Sequence, residues 1–517
     1  MLNRQLKTAY ENTIAKMNLA PLVDVTDTIC VEDMFDETER LAMVETCATL
    51  ITDFIEQNPL IFAKPEFDNI VRNNVISLLM DTIAPTLYNA NGDFSVIAEE
   101  EIRLIYQMAS YIVFTSIAPR RSYKKTFIRK IAQNHDVIRQ KLQDIRERPQ
   151  SEQCTPQWYI DRWNRLSGSN AWKAFSTQSQ INSLIVEKCK PIDTNKYRNV
   201  NTESSLHHGK RFEQVSVQYY EYVYGAKVAE FGCVPHSEHA FLGASPDGIV
   251  VNEDCPRFGR MLEIKNVTTR KINGIPKEDY WIQMQIQMEV CNLNECDFLE
   301  TEINTYPSLD EFKQDGTFQK SADGKYKGVI AYYTVDGQPF YEYAPFQCTE
   351  EEFDKWEEEI CEKHANHTWI TNIYYRIDTI SCVLVLRNKM WMKSAIGVLR
   401  DLWGQILHDR EHGYEHRLPK SRTSASASTS ASTSVANINI NTKQPTNKPN
   451  CVFNIVKLQE QINNEGQTQQ TAPRPPVPEQ TRPQTSTDEI KNDNIVSNIP
   501  KKRKTHDKSE PLLYVDI

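Results

Sequence analysis

The sequence predicts an α/β fold that is preceded by an acidic helical module and followed by a disordered tail. Between Thr155 and about Tyr343, short apolar runs of strand length alternate with helical stretches, a pattern typical of an α/β domain. Residues 1–119 carry 18 acidic and 7 basic side chains among helix-like apolar runs. From residue 412 onward, Ser, Thr, Pro, Gln and Asn dominate. Such a segment cannot bury enough apolar surface to offset chain entropy.

The N-terminal module, residues 1–119, is predicted to be helical because "RLAMVETCATLITDFI" and "NVISLLMDTI" repeat apolar residues at helical spacing. The first residues, "MLNRQLKTAYENTIAKMNL", lack the apolar block of a signal peptide. No run of about 18 uncharged apolar residues occurs either. We therefore expect a soluble, intracellular protein with no membrane partner.

Residues 120–150 form a basic segment in which a helix is predicted to begin at Arg120. From Arg120 to Arg148 there are 10 basic and 3 acidic side chains. Such a helix can be a solvated surface, or it can face the phosphates of nucleic acid, where Lys and Arg displace counterions. Its position directly before the predicted core, residues 151–345, favours the second interpretation. The net charge of −10 argues against indiscriminate coating of nucleic acid.

The core contains a turn and a strand that together suggest a metal site. Pro246-Asp247-Gly248 is turn chemistry, and alone it would be a solvated turn. In Met261-Leu262-Glu263-Ile264-Lys265 the strand alternation turns Glu263 and Lys265 to one face. Two carboxylates can hold Mg²⁺, and a nearby cation can orient or deprotonate water. The pairing of Asp247 with Glu263-x-Lys265 resembles the PD-(D/E)xK nuclease signature.

Two helices are predicted on either side of this motif. "NTESSLHHGKRFEQVSVQYYEYVYG" buries Phe212, Val215 and Tyr219, which leaves Glu213 free to point elsewhere. "DYWIQMQIQMEVC" alternates like a strand but is rich in helix-favouring residues, and we predict a helix. Further along, Asp336-Gly337 predicts a hairpin turn. Residues 346–411 are predicted to be the C-terminal helical part of the core, with "WITNIYY" and "SAIGVLRDLWGQIL" as apolar stripes.

Five segments in order carry a resemblance to a known family: "TPQWYIDRWNRLSGSNAW", "VNTESSLHHGKRFEQ", "FLGASPDGIV", "MLEIKN" and "EDYWIQMQIQMEVC". Together they resemble the lambda-exonuclease-like (YqaJ) recombinase nucleases of the PD-(D/E)xK superfamily, in the versions carried by large DNA viruses of eukaryotes. The resemblance is strong from Thr155 to Ile303 and looser to about Leu402. It implies a restriction-endonuclease-like mixed sheet with flanking helices.

The resemblance also implies roles for individual residues. Asp247 and Glu263 would bind the metal, and Lys265 would activate water. The other implied site residues are Glu213 and Gln283, which complete the catalytic site, Tyr280, one turn before Gln283 and on its face, and Arg162, Ser169 and Ser245, which form a 5′-phosphate pocket. Arg165 is the alternative to Arg162. The loop "VVNEDCPRFGR" is longer than in the compact phage enzyme, which affects the expected substrate path and leaves the metal site unchanged.

The implied function is a Mg²⁺-dependent nuclease, with Mn²⁺ as a substitute, that cuts double-stranded DNA from 5′ to 3′ in viral recombination or genome processing. The implied partners are a single-strand-annealing or single-stranded-DNA-binding protein and, by family analogy, further copies in a ring trimer. The alternatives are a structure-selective endonuclease and a non-catalytic DNA-binding scaffold. The tail, residues 412–517, carries the basic cluster "PKKRK" at 500–504, of nuclear-import type. We expect location in the host nucleus or cytoplasm.

Overall fold

A computed structural model describes residues 35–87, 96–123, 134–192 and 201–419. The described N-terminal part is helical, as predicted, and consists of α1 (Glu37–Gln57), a 3₁₀ turn (Pro59–Ala63), α2 (Phe67–Leu87) and α3 (Val96–Ser116). Helix α1 begins with a capping box, in which Asp36 Oδ1 accepts a hydrogen bond of 2.8 Å from the Glu39 amide. This box satisfies backbone donors that a helix start leaves unpaired.

The rest of the described chain alternates helices and strands. In order they are α4 (His135–Glu147), α5 (Pro156–Trp163), β1 (Leu166–Ser167), α6 (Gly168–Ala171), α7 (Gln178–Cys189), α8 (Ser205–Tyr224), β2 (Val228–Ala229), β3 (Val234–Pro235), β4 (Leu242–Ala244), β5 (Gly248–Val250), β6 (Met261–Asn266), α9 (Glu278–Cys291), β7 (Glu295–Thr305), α10 (Leu309–Gln314), β8 (Lys327–Val335), β9 (Gln338–Tyr343), α11 (Glu350–Lys363), β10 (Thr368–Leu386) and α12 (Lys389–His412). The described residues of this part also include two 3₁₀ turns, Trp172–Phe175 and Glu415–Arg417.

The main sheet has seven strands in the order β2-β5-β6-β7-β10-β8-β9, and a smaller sheet has the order β1-β4-β3. In the main sheet β6 and β7 are parallel, and the other neighbouring pairs are antiparallel. This mixed sheet with flanking helices confirms the predicted α/β fold class. The predicted hairpin turn is also confirmed, since Asp336 and Gly337 both adopt positive φ between β8 and β9.

Strand β6 separates two packed layers, and its alternation decides which side chain enters each. Leu262 and Ile264 pack with Phe212 and Val215 of α8 in one apolar cluster. Glu263 and Lys265 instead meet α9, which is a helix as predicted. The charged pair of β6 therefore lies between the sheet and α9.

One predicted helical segment is a strand. The residues from Trp369 to Tyr375 lie in β10, which is 19 residues long and pairs with both β7 and β8. The helix prediction was wrong because this stretch is rich in β-branched and aromatic residues, which fit a pleated surface. The predicted C-terminal part of the core, residues 346–411, therefore contains the central strand β10 between α11 and α12, and it is not wholly helical.

The predicted start of the basic helix at Arg120 is also wrong. Tyr123 forms an isolated antiparallel bridge with Leu384, through amide-to-carbonyl bonds of 2.9 and 3.2 Å, so the chain is extended there. The described helix, α4, begins at His135 behind an Asn134 cap. The part of the prediction that concerns residues 124–133 lies outside the described residues.

The ordered chain extends beyond the predicted start of the tail at residue 412. Arg417 donates a hydrogen bond of 2.9 Å to Asp409 of α12, which anchors the 3₁₀ turn that follows the helix. Residues 420–517, for which a disordered tail with a basic cluster was predicted, lie outside the described residues. In the part of the chain with described positions, no helix is long and apolar enough to cross a membrane.

Candidate active site

Three predicted residues meet where β5 and β6 pair. Asp247 directly precedes β5, and its Oδ2 accepts a hydrogen bond of 2.7 Å from the Ile264 amide. Glu263 is fully buried, and its Oε1 contacts the Lys265 ammonium, which is 24% exposed. Glu213 of α8 acts electrostatically on both Lys265 and Glu263. We call Glu213, Asp247, Glu263 and Lys265 the carboxylate site.

The glutamine that binds this site is not the predicted one. Gln287 of α9 donates a hydrogen bond of 2.8 Å from Nε2 to Glu263 Oε2. Gln283 lies one turn earlier on the same face, where its side chain flanks Gly168. The sequence could have pointed to Gln287, because residues i and i+4 share a helix face. The role of Gln283 stays a prediction.

Negative charge is in excess at the carboxylate site. Burial raises the pKa of Asp247 well above its usual value, and the negative charges of Glu263 and Glu213 raise it further. Burial also raises the pKa of Glu213, which Lys265 opposes. The pKa of Lys265 lies above its usual value because Glu263 and Asp247 outweigh its own burial. One ammonium faces three carboxylates, so a further cation would be stabilised here.

The oxygen donors suit a hard divalent ion. Among the described residues, no three Asp, Glu, His or Cys side chains are arranged to hold one ion. Mg²⁺ needs fewer protein ligands, because it keeps several waters and binds one or two carboxylates together with substrate phosphates. Asp247 and Glu263 provide such a pair, and Mn²⁺ accepts the same ligands. Lys265 and Gln287 each engage one Glu263 oxygen, and each oxygen keeps a second lone pair that can bind a metal ion.

A second cluster contains the three residues predicted for the 5′-phosphate pocket. Arg162 of α5 donates a hydrogen bond of 2.6 Å from Nη2 to Ser169 Oγ, and its guanidinium lies over the Trp158 ring at 4.3 Å from the centroid. The Trp158 indole donates a hydrogen bond of 3.0 Å to Ser245 Oγ. We call Trp158, Arg162, Ser169 and Ser245 the anion pocket. Trp158 was not predicted, and its spacing of four residues from Arg162 was the available signal.

The alternative arginine has a different environment. Arg165 Nη1 lies 3.8 Å from a carboxylate oxygen of Asp161, one helical turn earlier, and also donates to the Asp161 carbonyl. Arg162 has no such carboxylate partner in the ion pairs of the described chain, and burial lowers its pKa. A guanidinium placed in this way can bind an added anion without first breaking an ion pair. The arrangement agrees with the choice of Arg162.

Two further basic side chains donate hydrogen bonds to backbone carbonyls at and next to Arg162. Lys188 of α7 is 3% exposed and donates a hydrogen bond of 2.5 Å to the Arg162 carbonyl. Burial lowers the pKa of Lys188 to about 7. Arg410 of α12 donates hydrogen bonds of 2.9 Å to the Lys188 carbonyl and 2.8 Å to the Trp163 carbonyl. Both cations bind neutral oxygens, which adds positive potential beside Arg162.

Gln287 joins the two clusters. Its Nε2 donates to Glu263 Oε2 and, at 3.3 Å, to the carbonyl of Ser245. Gly168, beside Ser169, packs so closely against α9 that a Cβ there would lie 3.2 Å from the Gln283 carbonyl oxygen. A side chain at this position would require α6 or α9 to shift slightly. The carboxylate site and the anion pocket are therefore connected through α9.

Comparisons with known proteins support the resemblance. Residues 157–294 match the family model of the YqaJ-like viral recombinase domain, which confirms the resemblance over that range. The uncharacterized protein R354 of Acanthamoeba polyphaga mimivirus is 28% identical over 333 residues, which cover 56% of this chain and 59% of the relative. The matched part thus spans less than two thirds of that viral protein.

Two solved structures are also similar. They are crystal structures of LHK-Exo, an alkaline exonuclease from Laribacter hongkongensis, and one of them is in complex with dAMP. Sequence identities are 15% and 16%, and each comparison covers 50% of this chain and 95% of the other at a TM-score of 0.29. At this TM-score the superposition does not extend the fold assignment.

Proposed function

We propose that this protein is a Mg²⁺-dependent deoxyribonuclease that degrades duplex DNA from its ends in the 5′-to-3′ direction. The observation that carries the proposal is the hydrogen-bond connection through Gln287 between the carboxylate site and the anion pocket. The match to a viral recombinase domain supports DNA as the substrate. Viral recombination or genome processing is the biological setting that we propose.

The chemistry divides between the two clusters. Asp247 and Glu263 would hold Mg²⁺, which when bound stabilises negative charge on the phosphate and on the leaving oxygen. Lys265 donates hydrogen bonds that orient the attacking water or the phosphate, and Glu213 keeps the ammonium in place electrostatically. Gln287 fixes the Glu263 carboxylate through its other oxygen. Each of these groups acts at the reacting centre and not through the apolar core.

The anion pocket is what favours an exonuclease over an endonuclease. A terminal phosphate carries more charge than an internal diester, and an arginine fork with serine hydroxyls favours the more highly charged group. Arg162 and Ser169 already lie within hydrogen-bond distance of each other. An endonuclease would gain nothing from such a pocket. A single-strand-annealing partner, a ring trimer and action in the host nucleus or cytoplasm belong to the same proposal.

The test uses purified full-length protein with Mg²⁺ on three substrates. These are end-labelled linear duplex with a 5′-phosphate, the same duplex with a 5′-hydroxyl, and closed circular duplex. We expect fast release of nucleotides from the phosphorylated ends, slower release from the hydroxyl ends, and intact circles. EDTA should stop cleavage, and Glu253→Gln, which alters an exposed surface carboxylate paired with Arg139, should leave it unchanged.

Other outcomes separate the alternatives. Cutting of closed circles at a rate similar to that of linear duplex would identify an endonuclease. Binding of duplex without cleavage in Mg²⁺ or Mn²⁺ would identify a scaffold and refute the enzyme proposal. Equal rates on the two linear duplexes would retain a nuclease but remove the role of the anion pocket in selecting ends.

A further inference from the structure

Arg270 lies on the loop between β6 and α9 and was not among the predicted site residues. Its Nη2 contacts Glu300 Oε1 of β7. The Arg270 side chain is 22% exposed, whereas the Glu300 side chain is only 1% exposed. The pair therefore presents its cationic member to solvent and keeps its anionic member inside.

Arg270 shares a face of the sheet with Lys265. Because β6 and β7 are parallel and Lys265 pairs with Glu300 in the register, the side chains of Lys265 and Glu300 point to the same side of the sheet. Arg270 contacts Glu300 on that side. The Tyr280 ring of α9 lies beside both cations, with its centroid 5.2 Å from Lys265 Nζ and 5.7 Å from Arg270 Cζ. Positive charge thus continues from Lys265 to Arg270 across one aromatic ring.

The ion pair leaves part of the guanidinium available. An arginine has five N–H donors, and the contact with Glu300 is the one hydrogen bond that Arg270 makes within the described residues. The second oxygen of Glu300, Oε2, makes no hydrogen bond to Arg270. It is buried and has no hydrogen-bond partner in the described part of the chain. Glu300 therefore engages Arg270 through one oxygen, and the other N–H donors of the guanidinium make no hydrogen bond to any described residue.

We propose that Arg270 forms a second phosphate-binding position, which holds the DNA phosphate next to the one being cut, and that Glu300 is its positioning residue. This inference rests on the proposed nuclease function. A strand whose scissile phosphate lies at Asp247, Glu263 and Lys265 carries further phosphates along its backbone. Arg270 is beyond Lys265 on the same face, and its planar fork can bind a phosphate in a bidentate manner.

The first experiment measures duplex binding in EDTA, so that no cleavage occurs, over a range of salt concentrations. Arg270→Ala should weaken binding about tenfold and lower the slope of log K against log salt by about one, the value for one lost phosphate contact. Arg270→Lys should keep the slope and lose part of the affinity. Lys271→Ala is the matched control, since this neighbouring lysine is exposed on the same loop, and it should change binding less than twofold. Equal effects of the two alanine variants would overturn the inference.

The second experiment tests whether Arg270 merely neutralises Glu300. The double variant Arg270→Met with Glu300→Met removes both charges, so it should fold but keep the binding defect and the lower salt slope. Recovery of wild-type binding would show a structural ion pair and refute the phosphate contact. Glu300→Gln should weaken binding while the slope stays at the wild-type value, because the guanidinium remains.

The two proposals can fail separately. If the wild-type protein binds DNA but does not cleave it in Mg²⁺ or Mn²⁺, the nuclease proposal fails. If the wild type cleaves DNA and Arg270→Ala matches Lys271→Ala in KM, kcat and salt slope, only the second phosphate-binding position is lost.

Discussion

The carboxylate site and the anion pocket are neighbours with opposite electrostatic character. In the first, three carboxylates share one lysine, and burial together with mutual repulsion raises the pKa of Asp247. In the second, Arg162 and Lys188 bind neutral oxygens, and burial lowers the pKa of both. One region would be stabilised by an added cation and the other by an added anion. A metal ion and a terminal phosphate meet these needs together.

The largest expected effect comes from the carboxylate site. Asp247→Asn, Glu263→Gln and Lys265→Met should each lower Mg²⁺-dependent cleavage by about a thousandfold or more, since metal-supported charge stabilisation is worth several kcal/mol. These near-isosteric changes should leave the fold and duplex binding in place. Single-turnover cleavage, circular dichroism and a binding titration measure the three properties. A Glu263→Gln variant that cleaves at the wild-type rate would contradict the assigned site.

A smaller and more selective effect is expected in the anion pocket. Arg162→Ala should slow digestion of 5′-phosphorylated duplex by about ten- to a hundredfold, because charge-assisted hydrogen bonds are worth roughly 1.5 to 3 kcal/mol. Digestion of the 5′-hydroxyl duplex should change little. Arg165→Ala is the matched control, since Arg165 already has Asp161 as a partner. Loss of the preference in Arg165→Ala but not in Arg162→Ala would exchange their roles.

Loss of the hydrogen-bond connection through Gln287 should slow cleavage without changing the preference for 5′-phosphorylated ends. Gln287→Ala removes the donor shared by Glu263 and the Ser245 carbonyl, so we expect cleavage about tenfold slower on both phosphorylated and hydroxyl ends. Gln283→Ala, one turn away, is the comparison variant. If Gln283→Ala has the larger effect, the glutamine implied by the family resemblance is the catalytic one, and Gln287 has a structural role.

The two glutamines show how far the sequence leads. Alternation along β6 is local information, and it correctly placed Glu263 and Lys265 on the face opposite Leu262. The choice between Gln283 and Gln287 depends on how α9 rotates over the sheet. That rotation is set by contacts distant in the sequence, such as the approach of Gly168 to α9. The spacing of the glutamines identifies the face of α9 that meets the carboxylate site. It does not identify which glutamine on that face binds Glu263.

The contrast between local sequence and distant contacts also explains why part of β10 was wrongly predicted to be a helix. The segment from Trp369 to Tyr375 lies between two helices, and its apolar residues fit either state over a short window. Its strand conformation is decided by pairing with β7 and β8, which end more than 30 residues before the segment begins. Likewise, the bridge between Tyr123 and Leu384 joins the segment before the core to β10, far along the chain. Such pairings decide between conformations that the local sequence leaves open.

The last expected effect is on stability and not on cleavage, and it depends on the burial of Lys188, which has no carboxylate contact within the described residues. Its pKa in the folded protein is about 7, because burial, with Arg162 and Arg410 nearby, outweighs the charge of Glu187. The ordinary pKa of lysine is about 10.4. Between these values the unfolded chain binds more protons than the folded one, so the free energy of unfolding should rise with pH. For one proton the slope is at most about 1.4 kcal/mol per pH unit.

Lys188→Met removes the titrating group, so the free energy of unfolding should depend less on pH. Urea denaturation at pH 7, 8 and 9 should show the variant more stable than the wild type at pH 7, with the difference shrinking as the pH rises. Lys190→Met, at an exposed lysine two residues away, should keep the wild-type slope. A short 5′-phosphorylated oligonucleotide in the pocket should favour charged Lys188, and it should therefore stabilise the wild type more at pH 7 than at pH 9. An equal slope in wild type and Lys188→Met would mean that Lys188 keeps an ordinary pKa, and that the anion pocket lacks the uncompensated positive charge that distinguishes it from the carboxylate site.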